Sequence, residues 1–155
     1  MVQPIVDLGH AWDGKRRDTP IYDCRLESVF SMKQPGQIVV FPFPQTDLEE
    51  GKLRPALLLC KLPGEYDDWL LCMISSQIAQ HVPEFDEIVA EAESDFATSG
   101  LKIASVIRVG RLAVVKPDLL LGAIGHIAPD RLQRIKARLS QWLLGSISTP
   151  APTGG

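Results

Sequence analysis

The sequence predicts a mainly β domain (β with α), a compact barrel of short strands closed by one C-terminal amphipathic helix. Between Ile38 and Ile74 the apolar runs are short and continuous, rich in β-branched and aromatic residues, and bounded by Pro, Gly and Asp. A sustained apolar period of three to four residues comes last, after Pro129. Strands followed by one helix fit a capped barrel and argue against a doubly wound α/β sheet, in which the two alternate.

About thirty N-terminal residues, including Lys15, Arg16, Arg17 and Asp18, show neither helical nor strand period and read as a flexible extension. Met32, shortly before a domain start at Gly36, is an alternative translation start. Ile38, Val39, Val40 and Phe41 form a strand, and Pro42 and Pro44 turn it into a loop. The loop from Gln45 to Leu53 carries Thr46, Asp47, Glu49, Glu50, Gly51 and Lys52, and Arg54-Pro55 closes it. Ala56 to Cys60 and Trp69 to Ile74 read as paired antiparallel strands, whose unbroken hydrophobicity implies burial on both faces. A third strand is expected near Phe85 to Ala90.

Ser105 to Val115 alternates in part, and Gly110 within it predicts a bulge or sharp bend. After Pro129, residues Leu132, Ile135, Leu139, Trp142 and Leu143 form one helical stripe, with the proline at the first helical position and Gly145 at the stop. Beyond Gly145 the tail has too little apolar surface to offset the entropy of ordering. The expected organisation is an extension over 1–35, one domain over 36–144 and a tail over 145–155.

A chain of 155 residues with 45% hydrophobic residues suits a single core. No apolar run reaches the ~18 residues of a membrane span, and the N-terminus lacks an apolar leader, so a cytoplasmic protein without membrane contact is expected. Cys24, Cys60 and Cys72 have no CxxC spacing and read as buried, reduced thiols; His10, His81 and His126 are scattered, so neither metal nor cofactor is expected. A net charge of −3 excludes a chain that coats nucleic acid, so any RNA site is local. Acidic residues gather at Glu49, Glu50, Asp67, Asp68 and from Glu84 to Asp95, whereas Arg108, Arg111, Arg131, Arg134, Lys136 and Arg138 come later. The stripe Arg131, Arg134, Arg138 reads as a solvated helix face.

Several segments in order resemble the MazF/PemK toxins. They are Gly36-Gln37-Ile38-Val39-Val40 with Phe43, Thr46-Asp47-Leu48 leading to Lys52-Leu53-Arg54-Pro55-Ala56, and Ile74-Ser75-Ser76-Gln77. Ser99-Gly100-Leu101-Lys102, Ser105 to Val109 and Leu121 to Gly125 are similar to the second half of the PemK-type branch. The resemblance spans about residues 36–144 and implies a small SH3-like barrel, a homodimer and inhibition by a cognate antitoxin. It further implies metal-independent cleavage of single-stranded RNA by attack of the 2′-OH, leaving 2′,3′-cyclic phosphate and 5′-OH ends. Arg54 matches the family arginine before proline, Ser75 the hydroxyl residue of a Thr-x-Gln pattern, and Glu49 a loop position that is acidic in some members. Departures are Gln37 in place of Asp, Ser75 in place of Thr, and Ala128 in place of a capping serine.

The chemistry agrees with these assignments. Attack on phosphorus builds charge on the non-bridging oxygens, which a guanidinium fork binds in bidentate fashion. Arg54 suits that role, while Ser75 can donate its hydroxyl to the same phosphate. A guanidinium keeps its proton in a protein, so Arg54 is a stabiliser and Glu49, or Glu50, is the candidate base. Competing accounts are a surface ion pair for Arg54 and a strand-ending serine bonded to its own backbone for Ser75. Lys52, Ser76, Gln77, Lys102 and Arg108 are candidate RNA contacts, each with a structural or solvated alternative. A non-catalytic barrel that binds a protein such as gyrase, or an inactive relative, is the competing function.

Overall fold

The computed structural model describes residues 33–43 and 51–145. The expected N-terminal extension up to residue 32, most of the loop that carries Glu49, and the tail from residue 146 lie outside the described residues. The elements are β1 (Gln37–Pro42), β2 (Leu53–Lys61), β3 (Trp69–Ser75), β4 (Glu87–Val89), α1 (Phe96–Ser99), β5 (Ser105–Val115), β6 (Ala123–His126) and α2 (Pro129–Leu143). They make one curled antiparallel sheet in the order β4-β5-β3-β2-β1-β6, a half-barrel with the C-terminal helix packed on it. The mainly β fold with a closing helix is as the sequence predicts; β6 and α1 are additions.

Both faces of the central strands are buried, which explains their unbroken hydrophobicity. Ile38, Val40, Leu57, Leu59, Cys72 and Ile74 face α2 and meet Ile135 and Leu139. The alternate residues Val39, Phe41, Ala56, Leu58, Trp69 and Leu71 form a second cluster with Phe43, Val115 and Leu120. Phe41 and Phe43 meet edge to face with centroids 5.7 Å apart, so these aromatics serve packing.

The bend in β5 is a bulge. Pairing with β3 steps from Cys72↔Leu112 to Met73↔Arg108, leaving Val109, Gly110 and Arg111 unmatched. A Cβ on Gly110 would stand 3.1 Å from the Phe85 ring, so the smallest residue belongs there.

Two expectations are corrected. The Arg131, Arg134, Arg138 stripe is only partly a solvated face: Arg134 is exposed and Arg138 half-buried, but α2 buries Arg131 in one line with Ile135 and Leu139, while Leu143 at the far end is 68% exposed. The acidic cluster and the later arginines, apart in sequence, meet here. Arg131 bonds Asp95 and Glu87 and pairs with Glu93; Arg138 pairs with Glu87 at 2.9 Å. Burying a guanidinium requires such partners, and they come from the segment before α1 and from β4. Cys60 is only half-buried, unlike Cys72, and both are free thiols.

Ala128, which lacks a capping side chain, gives its N–H to Asp95 Oδ2 at 3.0 Å. A carboxylate from elsewhere in the chain thus stands near the helix start, where negative charge is favoured. Gly145, at φ +76°, ends the helix.

Candidate functional site

The β2–β3 ladder runs to Ala56↔Met73, and two residues further along each strand stand Arg54 and Ser75. Alternation sets both on the face of Ala56 and Met73, at the same end of adjacent strands. Arg54 is half-buried beside Phe41, its partner in β1. Ser75 is 2% exposed and pairs with Val106 of β5.

The Ser75 hydroxyl accepts the N–H of Gln77 at 3.1 Å, the backbone-bonding turn that the competing account of this serine describes. That bond uses one lone pair and leaves the hydroxyl proton to donate elsewhere. Ser76 and Gln77 lead into a one-turn 3-10 helix at Ile78–Gln80, with Gln77 exposed at its start.

Arg108 faces the same side, because it pairs with Met73, the neighbour of Ser75 two residues back along the face. Its Nε lies 3.2 Å from Asp86 Oδ2, and its Nη1 donates to Gln80 Oε1 at 2.6 Å. Asp86 is buried and also accepts N–H bonds from Val82 and Val109, each at 3.0 Å. Asp86 and Gln80 escaped the sequence reading as site residues; their only signal was an acidic residue inside a predicted strand and a polar residue after Ser75.

Lys52 and Lys102 are exposed, and the Lys52 carbonyl accepts the Phe43 N–H at 3.2 Å, tying the two ends of the β1–β2 loop. Glu49 lies outside the described residues. Among the described residues, no three His, Cys, Asp or Glu side chains are grouped to hold a metal ion.

A family model described as the PemK-like, MazF-like toxin of type II toxin-antitoxin systems matches residues 34–143. The chain belongs to this toxin family. The match runs from just before β1 to the end of α2, so Arg54, Ser75 and Arg108 of this PemK-like toxin all lie within it. No curated protein matches the chain. Among solved structures it is similar to an endoribonuclease in complex with its cognate antitoxin from a mycobacterial species. That likeness has 16% identity and a TM-score of 0.47, covering 77% of this chain and 100% of the other. In this PemK-like chain, no described helix is long and apolar enough to cross a membrane.

Proposed function

We propose that this PemK-like toxin is a metal-independent, sequence-specific endoribonuclease acting on single-stranded RNA. The observation that carries the reading is the placement of Arg54 and Ser75 at one end of neighbouring strands and on one face. A phosphodiester laid across β2 and β3 there meets a guanidinium and a hydroxyl at once.

In the proposed step the 2′-oxygen bonds to phosphorus and the bond to the 5′-oxygen breaks. The products are a 2′,3′-cyclic phosphate and a 5′-hydroxyl that has taken up a proton. Arg54 binds the charge that grows on the non-bridging oxygens, where a fixed donor acts most strongly. Ser75, oriented by the Gln77 N–H, donates to the same phosphate and holds it in line. Glu49 is proposed as the base that takes the 2′-OH proton, on the strength of its loop position alone. Lys52, Lys102 and Arg108 are proposed RNA contacts, with Ser76 and Gln77 at the turn. A homodimer and an acidic antitoxin competing for these cations complete the proposal.

The test is incubation of the full chain with mixed single-stranded RNA in EDTA, followed by mapping of the ends. Position-specific cuts with 5′-hydroxyl termini, absent in Arg54→Ala, are expected. Intact RNA would overturn the reading and, with gyrase inhibited, would favour the non-catalytic barrel.

A further inference from the structure

We propose that Arg108, held by Asp86 and Gln80, reads a base of the RNA beside the scissile phosphate. The inference rests on the ribonuclease reading above and deepens it: the class of base is one with two adjacent acceptors on an edge, guanine or cytosine.

The argument starts from charge. Lys52 and Lys102 are exposed, and a cation that tracks a phosphate chain works best uncompensated and mobile. Arg108 is neither. Its charge is matched by Asp86, whose side chain is 2% exposed, and its own side chain is 14% exposed. Asp86 cannot swing away, because its two oxygens are fixed by the N–H groups of Val82 and Val109. Gln80 then fixes Nη1.

The result is a guanidinium locked in orientation, with Nη2 unpartnered among the described residues. Nη2 with the second N–H of Nη1 makes a two-donor fork. Such a fork matches paired acceptors: N7 and O6 of guanine, or N3 and O2 of cytosine. Adenine and uracil offer no two adjacent acceptors. In single-stranded RNA these edges are open to contact.

Position supports the assignment. Four residues separate Ser75 from Gln80, so the turn that begins at the candidate hydroxyl ends on Arg108. The β5 bulge immediately after Arg108 is the kind of irregularity that re-aims a side chain.

The test maps cleavage sites in a random-sequence single-stranded RNA pool for wild type, Arg108→Gln, Arg108→Lys and Gln80→Ala, and follows kcat/KM against salt. The wild-type motif is expected to fix guanine or cytosine at one position. Arg108→Gln should lose that preference by about ten- to a hundredfold, keeping the other positions and the salt slope. Arg108→Lys should not restore it, since an ammonium has no fork. Gln80→Ala, at an exposed residue, should relax the same position with an unchanged melting temperature. A motif without fixed guanine or cytosine overturns the proposal, as does an unaltered preference in Arg108→Gln. So does a salt slope lowered by about one with the motif intact, the mark of a phosphate contact. If wild type makes no cuts, the ribonuclease reading itself fails; cuts with an unmoved motif sink only the role of Arg108.

Discussion

Arg131 donates from Nε to Oδ2 of Asp95 at 2.8 Å and from Nη2 to Oδ1 at 3.0 Å, a bidentate bond between two side chains that are each 6% exposed. The same guanidinium reaches Glu87 at 2.8 Å and the carbonyl of Ile88 at 3.0 Å. Strands β4 and β6 end the sheet without pairing to each other, and Arg131 ties α2 to β4 and to the residue before α1. Arg131→Ala leaves Asp95 and Glu87 without their central cation. Breaking a buried pair from one side costs about 3–5 kcal/mol. Urea unfolding of the variant should show that loss, and a change below about 1 kcal/mol would mean that water replaces the guanidinium freely.

Cys72 gives a pH-dependent prediction. Full burial, and secondarily the charge of Asp86, pushes its thiol well above the ordinary range. The folded state therefore holds the proton more tightly than the unfolded chain. This contribution is complete below the unfolded thiol's pKa of about 8.5 and is lost as pH rises above it, by up to about 1.4 kcal/mol per pH unit. Stability measured from pH 8 upward should fall more steeply in wild type than in Cys72→Val. Half-buried Cys60 should react with a thiol reagent well before Cys72. Equal slopes in the two proteins would remove the thiol from the account.

What the sequence made legible follows the range of the interactions involved. Strands β1, β2 and β3 show in local composition, because residues buried on both faces must be apolar; β5 shows through partial alternation, and Gly110 marks its bulge. Four-residue β6, with Gly122 and Gly125 around Ile124, has no such signature; its form depends on pairing with β1. Arg131 was misjudged for a related reason. Helical spacing identifies a face, but the carboxylates that allow an arginine onto the core side lie 36 and 44 residues away. The placement of Arg54 and Ser75 required the β2–β3 register, which no motif in either strand specifies. Asp86 and Gln80 were missed because their importance comes only from what they hold.

Gly51 closes the β1–β2 loop three residues before Arg54. A Cβ there would collide with the backbone carbonyl of Phe43, which main-chain atoms cannot easily avoid. Gly51→Ala should therefore push apart the stem that the Phe43–Lys52 hydrogen bond ties. Overpacking of this kind costs about 1–3 kcal/mol. A thermal melt reads the loss. Cleavage by the fraction that remains folded should also fall, because the stem carries the approach to Arg54. A variant as stable and active as wild type would show that the loop moves aside at no cost.

Ser75 separates a structural role from a chemical one. Ser75→Ala removes the acceptor for the Gln77 N–H, which should cost about 1 kcal/mol of stability. If the hydroxyl also binds the phosphate as charge develops, kcat should fall by about 10²–10³ with KM little changed. Ser75→Thr keeps the hydroxyl and matches the residue common in the family, so it should retain most of the rate, provided the nearly closed site admits one more methyl. Arg54→Lys should fail where Ser75→Thr succeeds, because an ammonium cannot span two phosphate oxygens. A Ser75→Ala enzyme whose rate drops only in proportion to its unfolded fraction would reduce this serine to the turn it caps.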